Sequence, residues 1–558
     1  MQQTLSTVLR RHRLFGYPDP SWYIWGAGQI IQRVSETSQR GGMERERYQA
    51  LHTAIHLLRQ GGVFSPFDRD LFNMLFQLQG LVGLPDEKVA WHRWAFDQVR
   101  GLEMDSQGEA VVRVDEARGD PAKVAAALDR EPPMHERYLL LLELWRLGER
   151  PEFLRRARRF MALEGTAPAG PALALAAWRA GEDDLARELA GASPATFLHH
   201  LLEGERSRRA GDLETARGYW RLSLKMEPLQ PTLVYKIADS LAPPPEKGLV
   251  ERADVHVAYY TFNKLDMTLD TLRSLLASNI GPATVSLLNN GSTAFSRGEL
   301  EAGVEAVAQG REVNLVHLPT NIGAPAARNW LRNLPETHAA DYLAYLDDDV
   351  LLPRDWLAHY LQDLKEDSRA VCAGPLCLNP GSIPTIQYVW RFFDEIGDQK
   401  IRFSNNCPQY MDFGQYDARR PALSVMGCCH LFDMRRVNGL DLPGFDIRFS
   451  PSQVDDLEHD MQIWKAGGTV VYDGRVRVVH RQDAGRQAPM TRASLGNVLS
   501  NHRKMEAKWS LEDLTRVEAR VREADDAHYR RCLDIASPLL PQNVRDWLAA
   551  YDLPEPRS

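Results

Sequence analysis

From residue 254 onward, apolar runs typical of β-strands alternate with amphipathic segments typical of α-helices. The series begins with "DVHVAYYTF", "MTLDTLRSLLAS", "ATVSLLNNGS" and "ELEAGVEAVAQ", continues with "EVNLVHLP" and "TNIGAPAARNWLRNL", and reaches "DYLAYLDDDV". Such alternation predicts a parallel sheet with helices on both faces. Ligands bind to sheets of this kind beyond the carboxyl ends of the strands.

Polar side chains follow the strands at those ends. Thr261 and Asn263 come after the first strand, Asn289 and Asn290 close the second, and three aspartates at 347–349 close the last. Because the carboxyl ends of parallel strands meet at one edge of a sheet, we expect these residues to surround one ligand site.

The three aspartates need a positive partner, because burying unpaired carboxylates costs on the order of several kcal/mol. Alternate side chains of an extended chain point the same way, which predicts that Asp347 and Asp349 face one pocket and Asp348 faces elsewhere. Two hard oxygen donors suit Mg²⁺ or Mn²⁺. A solvated acidic loop would explain the charges but not the apolar run "YLAYL" before them.

Before the proline-rich stretch "APPPEKG" the sequence is helical in character. Gly119, Gly148, Gly181 and Gly211 each follow a helical stretch and precede an acidic residue and a new amphipathic segment. This spacing predicts stacked pairs of antiparallel helices, and the last unit resembles a tetratricopeptide repeat. An irregular helical bundle is the alternative.

These patterns divide the chain into five segments. We expect a helical region without a clear repeat, tetratricopeptide-like repeats, a linker, an α/β domain and a helical extension whose helix is capped by Ser510. Their bounds are 1–100, 101–242, 243–250, 251–485 and 486–558.

Bulk properties narrow the class of protein. The net charge of −8 argues against a nucleic-acid binder. The first residues lack the apolar core of a signal peptide, and no window approaches the roughly 18–20 apolar residues of a membrane span. Five of the six cysteines lie between Cys372 and Cys429 without a C-x-x-C pair. They favour buried reduced thiols, and we expect a cytoplasmic protein.

Several blocks in Val255–His480 together resemble a family 2 glycosyltransferase of the GT-A fold, which is a Rossmann-like mixed sheet. "YYTFNKLDMTLDTLRSLL" and "LLNNGS" resemble the two strand ends that meet the nucleotide base. "TNIGAPAARNWL" resembles the family's "N-x-G-x-x-x-A-R-N" loop, and "LDDDVLLP" its metal motif. "VMGCCHLFDMRRVNGLDLPGFDIRF", "VDDLEHDMQIWKAGG" and "VVYDGRVRVVH" resemble the acceptor block, the block of the catalytic base and the closing strand.

The resemblance implies roles for individual residues. Asp349 and His480 would bind the metal, with Asp347 as a further ligand or a ribose contact. Asp456 falls on the position of the catalytic base, counting back from Gly467, and Asp455, in the place of the usual glutamate, is the alternative. The residues implied for nucleotide-sugar binding are Thr261, Asn263, Asn289, Asn290, Gly323, Arg328, Asp347 and Asp348.

The implied reaction is an inverting transfer of a hexosyl or N-acetylhexosaminyl group from a nucleotide sugar with Mn²⁺ or Mg²⁺. A UDP-sugar is the favoured donor, although Asn289 stands where the family has aspartate. The helical arm, residues 1–242, suggests that the acceptor is a protein or peptide, or that the chain assembles into a homo-oligomer. The competing hypotheses are a nucleotidyl or phosphoryl transferase and a non-catalytic helical scaffold with a degenerate transferase domain.

Overall fold

The computed structural model describes residues 2–38, 44–102, 107–397, 400–404, 407, 410–481 and 492–552. The part before residue 253 is helical. Its α-helices are α1 (Gln2–Phe15), α2 (Pro20–Ser38), α3 (Glu44–Phe64), α4 (Arg69–Val82), α5 (Ala90–Val99), α6 (Gln107–Asp115), α7 (Pro121–Asp129), α8 (Met134–Arg146), α9 (Arg150–Met161), α10 (Gly170–Arg179), α11 (Asp183–Gly191), α12 (Phe197–Arg209), α13 (Leu213–Met226), α14 (Pro231–Leu241) and α15 (Leu249–Arg252). Short 3₁₀ turns span Asp86–Val89 and Ala167–Ala169.

The four glycines singled out by their spacing each lie in a turn between two helices. Gly119, Gly148, Gly181 and Gly211 have φ angles of 81°, 79°, 80° and 84°. Glycine adopts this left-handed conformation without a steric penalty, so each one ends a helix and lets the chain reverse. The helices α10 and α11 pack together, as do α12 and α13. The comparison with tetratricopeptide repeats stays a prediction.

The sheet begins at residue 255 and is mixed. Its strands are β1 (Val255–Thr261), β2 (Thr284–Asn290), β3 (Asn314–Leu318), β4 (Tyr342–Leu346), β5 (Val350–Leu351), β6 (Ala370–Leu378), β7 (Ile386–Tyr388), β10 (Arg419–Pro421), β11 (Cys429–Asp433) and β12 (Thr469–His480). A separate hairpin consists of β8 (Phe393–Gly397) and β9 (Lys400–Phe403).

Strand order explains where polar residues meet. The sheet runs β10-β12-β6-β11-β4-β1-β2-β3, with β5 on β12 and β7 on β6. The strands β3, β2, β1 and β4 are parallel, as predicted, so their carboxyl ends lie at one edge. β11 is antiparallel to both β4 and β6, and β12 is parallel to β6. The α/β domain predicted after residue 250 is therefore confirmed as a mixed sheet.

Helices cover both the sheet and its edge. Those of the α/β region are α16 (Leu265–Ala277), α17 (Arg297–Ala308), α18 (Ala324–Arg332), α19 (Pro335–Ala339), α20 (Trp356–Glu366), α21 (Met434–Gly439) and α22 (Asp455–Ala466). The C-terminal helices are α23 (Arg492–Lys508), α24 (Leu511–Ala536) and α25 (Gln542–Ala549), with 3₁₀ turns at Ile447–Phe449, Ser537–Leu539 and Ala550–Asp552. The predicted cap is confirmed, since the Ser510 side chain accepts a hydrogen bond from Asp513 N at 3.1 Å.

The helical arm packs directly against the rest of the chain, which the predicted linker did not indicate. Its apolar core continues into Ile383, Phe413 and the C-terminal Tyr529. Arg13 on α1 pairs with Asp525 on α24 at 2.8 Å, both side chains being buried. The linker itself is short, because α15 begins at Leu249.

Two further expectations concern cysteines and membranes. All six cysteines are free and buried, as predicted. Within the described ranges, no helix combines the length and apolar character needed to span a membrane.

Candidate functional site

Three carboxylates follow β4 and meet the end of β12. The strand ends at Leu346, and Asp348 and Asp349 lie in a turn, so the extended backbone predicted for this stretch is wrong. The turn brings Asp347 and Asp349 together, but Asp348 lines the same cavity, so the prediction that it faces elsewhere is wrong. His480 Nε2 lies 3.1 Å from Asp349 Oδ1 and 3.7 Å from Asp347 Oδ2. One potential ligand atom from each of the three residues lies within 4.8 Å of the others.

A glutamine fixes the orientation of the histidine. His480 Nδ1 lies 2.8 Å from the side-chain oxygen of Gln387, and an N–H donated there presents Nε2 to the two aspartates. Oδ1 of Asp349 is buried and makes no well-directed hydrogen bond, so its lone pairs are available to a cation. Two carboxylates and an oriented imidazole form a donor set that fits Mn²⁺ or Mg²⁺.

Three neighbouring carboxylates share this site. Although burial opposes ionisation, His480 and Lys264 lower the pKa of Asp349 to about 2. Lys264 Nζ reaches Asp349 Oδ2 at 2.9 Å. Burial raises the pKa of Asp348 to about 7 and also raises the pKa of Asp347. A divalent cation would let all three carboxylates ionise together.

Arg328 on α18 lies between these aspartates and the start of α22. Its Nη2 donates to Asp347 Oδ1 at 3.1 Å, and its Nη1 donates to Asp455 Oδ2 at 2.5 Å. Asp455 is buried, and burial raises its pKa to about 6 despite Arg328. Asp455 is therefore engaged in an ion pair and is not directed freely at a substrate.

Asp456 has different partners. Its Oδ2 accepts a hydrogen bond from Gly427 N at 2.9 Å, and its Oδ1 accepts one from Leu457 N at 2.8 Å. Within the described part of the chain, no cationic side chain forms an ion pair with it. The carboxylate is half-buried and lines the cavity, where backbone amides orient it without neutralising it.

Strained backbone precedes this pair of acids. Gln453 and Val454 both have positive φ angles, 84° and 73°, which non-glycine residues rarely adopt. The tail helix α23 holds the segment in place. Asn501 Nδ2 donates to the carbonyl oxygens of Phe449, Ser452 and Gln453 at 3.0, 2.9 and 3.0 Å. The first turn of α22 is thereby directed at the cavity.

One cavity of about 560 Å³ joins these groups. The metal-type cluster, Asp456 and Arg328 all line it, and Arg328 bridges Asp347 and Asp455. The cavity is large enough for a substrate of the size of a nucleotide sugar.

Residues 257–440, about a third of the chain, match the sequence model described as "Glycosyl transferase family 2". The chain carries a family 2 glycosyltransferase domain. With its mixed sheet and aspartate-rich strand end, this domain has the GT-A fold that the sequence predicted. The family match ends before β12 and α22, so His480 and Asp456 lie outside it.

Comparison with curated proteins finds no match. One similar solved structure is GalNAc-T7 with UDP, GalNAc and Mn²⁺, with 16% identity and a TM-score of 0.35 over 44% of this chain and 47% of that one. The chain thus spans less than half the length of that transferase. Another is the mannosyltransferase PcManGT from Pyrobaculum calidifontis in complex with GDP-Man and Mn²⁺, with 18% identity, a TM-score of 0.35 and coverage of 59% and 89%.

The residues expected to bind the nucleotide occupy two settings in the family 2 domain. Asn290, Gly323, Arg328, Asp347 and Asp348 line the cavity. Gly323 has a φ angle of 83°, and a Cβ there would lie 2.8 Å from the Ser450 hydroxyl.

Three others support the loops around the cavity. The buried Thr261 hydroxyl pairs with Thr268 Oγ1 at 2.6 Å. Asn263 Oδ1 accepts from the backbone of Thr293 and Ala294, and Asn289 Oδ1 accepts from Ser292 N at 2.9 Å. These amides organise the loops that follow β1 and β2 in the family 2 domain.

The sequence patterns missed several cavity residues. These are Lys264, Gln387, Tyr388 and Arg391, together with Val498 and His502 from the C-terminal tail. Lys264 directly follows the predicted Asn263, and that position was the available signal in the sequence. Gln387 and the tail residues come from segments whose position only the folded chain defines.

Proposed function

We propose that the protein is a metal-dependent inverting glycosyltransferase that moves a hexosyl or N-acetylhexosaminyl group from a nucleotide sugar to an acceptor. The observation that carries the proposal is that one cavity contains both a cluster of potential metal ligands and a separate carboxylate. Asp347, Asp349 and His480 form a cation-type cluster, and Asp456 stands separately as an oriented carboxylate.

The cation cluster would serve the donor. Asp347, Asp349 and His480 would bind Mn²⁺ or Mg²⁺, which stabilises charge on a departing nucleoside diphosphate. Gln387 orients His480, and Lys264 supplies a positive charge beside the same aspartates. Arg328 fixes Asp347 and fills the space toward α22.

Asp456 would serve the acceptor. A general base must reach the acceptor's proton within hydrogen-bond distance. Of the two cavity carboxylates in the first turn of α22, Asp455 is paired with Arg328 and Asp456 is not. Its amide partners hold the carboxylate in one orientation, and it takes the proton as the acceptor attacks the sugar. Direct attack with inversion requires no covalent intermediate.

We favour a UDP-sugar as donor and a protein or peptide as acceptor. Asn290 and Asn321 line the part of the cavity that would receive the nucleotide base, and Asn290 Nδ2 donates to Asn321 Oδ1 at 3.0 Å. Helices of the arm pack on the transferase domain, so a peptide held by the arm would stay next to the cavity. Self-assembly through the arm is the alternative use of that surface.

Hydrolysis of nucleotide sugars by the full chain tests the activity. We expect release of nucleoside diphosphate from one donor with Mn²⁺, little release with a chelator, and loss of release in Asp349→Ala. The control is Asp341→Asn, which changes an aspartate outside the cavity that pairs with Arg435. Metal-independent release from every donor, or none from any donor with a well-folded chain, would contradict the proposal.

A further inference from the structure

A second cluster of ligand-type side chains lies behind the catalytic wall. Cys372 on β6, His430 on β11 and Asp460 on α22 each offer one atom within 4.8 Å of the other two. All three are at most 1% exposed. They come from three elements that are distant in sequence, so the fold itself brings them together.

Among the described residues, two atoms of this cluster have no hydrogen-bond partner. They are Nε2 of His430 and Oδ1 of Asp460, both buried. The other oxygen of Asp460 accepts from Val425 N at 3.1 Å, and the Cys372 thiol has only a weak contact of 3.8 Å with a backbone oxygen. Buried polar atoms are nearly always satisfied in folded proteins, so this group requires an explanation.

We propose that Cys372, His430 and Asp460 bind one Zn²⁺ ion. A thiolate, an imidazole and a carboxylate are the ligands that zinc takes, and Asp460 can bind through one oxygen or both. A thiolate and a carboxylate also cancel the charge of the ion, so the loaded site is neutral and suited to burial. Zinc bonds of about 2.0–2.3 Å bring ligand atoms closer to one another than 4.8 Å, so the three side chains would move inward on binding.

The ligand chemistry separates this site from the cation cluster of the cavity. The soft thiolate of Cys372 favours zinc over manganese or magnesium. Asp347 and Asp349 offer hard oxygens instead, beside a cavity that admits substrate. One chain would therefore hold two different ions, one fully enclosed and one exchangeable.

The zinc would position the general base. Asp460 lies one helical turn after Asp456 on α22, and both ends of that turn contact the segment before β11. Asp460 accepts from Val425 N and Asp456 accepts from Gly427 N. Zinc bonds that connect β6 and β11 to Asp460 would fix the rotation of α22 about its axis and its position along that axis. They would thereby fix the position of the Asp456 carboxylate. This role rests on the proposed function, whereas the metal site does not.

The competing explanation is a protonated cluster without metal. Burial raises the pKa of Asp460 and of Cys372 far above their usual ranges, so both would hold protons in the absence of an ion. Metal content distinguishes the two cases directly.

The experiment measures zinc in the full chain, produced in zinc-supplemented medium and desalted without chelator. We expect about one zinc per chain by mass spectrometry in the wild type and in Asp349→Ala, and at least a tenfold loss in Cys372→Ser and His430→Gln. Cys429→Ser is the matched control, because Cys429 is an equally buried neighbour outside the cluster. It should retain the zinc.

A second readout does not depend on any variant's folding. The wild type produced with Co²⁺ in place of Zn²⁺ should show a thiolate-to-cobalt charge-transfer absorption band. Wild-type protein that is folded but contains no zinc and gives no such band overturns the proposal. Zinc that is lost in Asp349→Ala but retained in Cys372→Ser also overturns it, and assigns the ion to the cavity. Mn²⁺-dependent donor hydrolysis, measured on the same samples, reports separately on the transferase proposal.

Discussion

The guanidinium of Arg328 contacts Asp455 at 2.5 Å, while the adjacent Asp456 faces the cavity with backbone amides as its partners. The two neighbouring carboxylates, which the sequence resemblance ranked as base and alternative, thus have different environments. The ion pair gives Asp455 a positioning role and leaves Asp456 as the candidate base.

Asp456→Asn should therefore abolish most transfer while keeping donor binding. The amide preserves the shape but cannot take a proton, and loss of general-base assistance costs roughly 10²–10⁴-fold. The measurement is transfer rate together with Mn²⁺-dependent binding of nucleoside diphosphate. Asp455→Asn is the paired variant, which should reduce stability more than the chemical step. If Asp455→Asn is the inactive one and Asp456→Asn is nearly normal, the base is Asp455.

Asp349→Ala should remove metal-dependent nucleotide binding. Asp349 contacts both His480 and Lys264, so its loss takes away a charged ligand and releases the lysine. Calorimetric titration of UDP with and without Mn²⁺ measures the effect, with Asp341→Asn as control. Unchanged Mn²⁺ dependence in the alanine variant would refute the metal site.

Gln387→Leu should weaken metal binding without removing a ligand. Gln387 holds Nδ1 of His480 at 2.8 Å, and loss of such an outer partner typically costs about 10–100-fold in metal affinity. The check is Mn²⁺ titration of nucleotide binding, with Gln362→Leu on the surface of α20 as control. An unaltered Mn²⁺ affinity would show that His480 is either oriented by other contacts or not a ligand.

Asn501→Ala should lower the turnover number although Asn501 lies outside the cavity-lining set. The variant loses an amide group whose two N–H protons are shared among three carbonyl oxygens of the segment before α22, and a typical hydrogen bond contributes about 0.5–1.5 kcal/mol. We expect at least a tenfold fall in transfer with unchanged Mn²⁺-dependent UDP binding. Asn497→Ala, on an exposed face of α23, is the matched control. Equal activities of the two variants would show that the Asn501 hydrogen bonds are not needed for catalysis.

Local patterns predicted much of the fold. The alternation of strands and helices, the glycine turns of the arm and the Ser510 cap are short-range features, and the structure contains each of them. The segment around Asp347 and Asp349 was also found from its charges, because a carboxylate cluster after an apolar run has few explanations. The backbone conformation of this segment was not predicted, because the turn at Asp348 involves a contact with the loop after β1.

Long-range placement could not be predicted. Gln387 on β7 reaches His480 on β12, and both strands pair with β6. Asn501 reaches the segment before α22 from a different part of the chain. The buried group of Cys372, His430 and Asp460 is likewise invisible in sequence, because its members are separated by about 30 residues or more and two of them resemble ordinary core positions.

The contact between the arm and the transferase domain was also unforeseen, and it supports a last prediction. Lys236 on α14 pairs with Glu205 on α12 at 2.7 Å, both side chains being almost fully buried, and donates to Gly414 O at 2.5 Å. Lys236→Met should lower the free energy of unfolding by about 3 kcal/mol, because breaking a buried pair leaves Glu205 under-compensated. Lys247→Met, on the exposed linker, should change it little. Urea denaturation measures both. A midpoint unchanged in Lys236→Met would mean that neither the Lys236–Glu205 pair inside the arm nor the hydrogen bond from Lys236 to Gly414 O contributes measurably to stability.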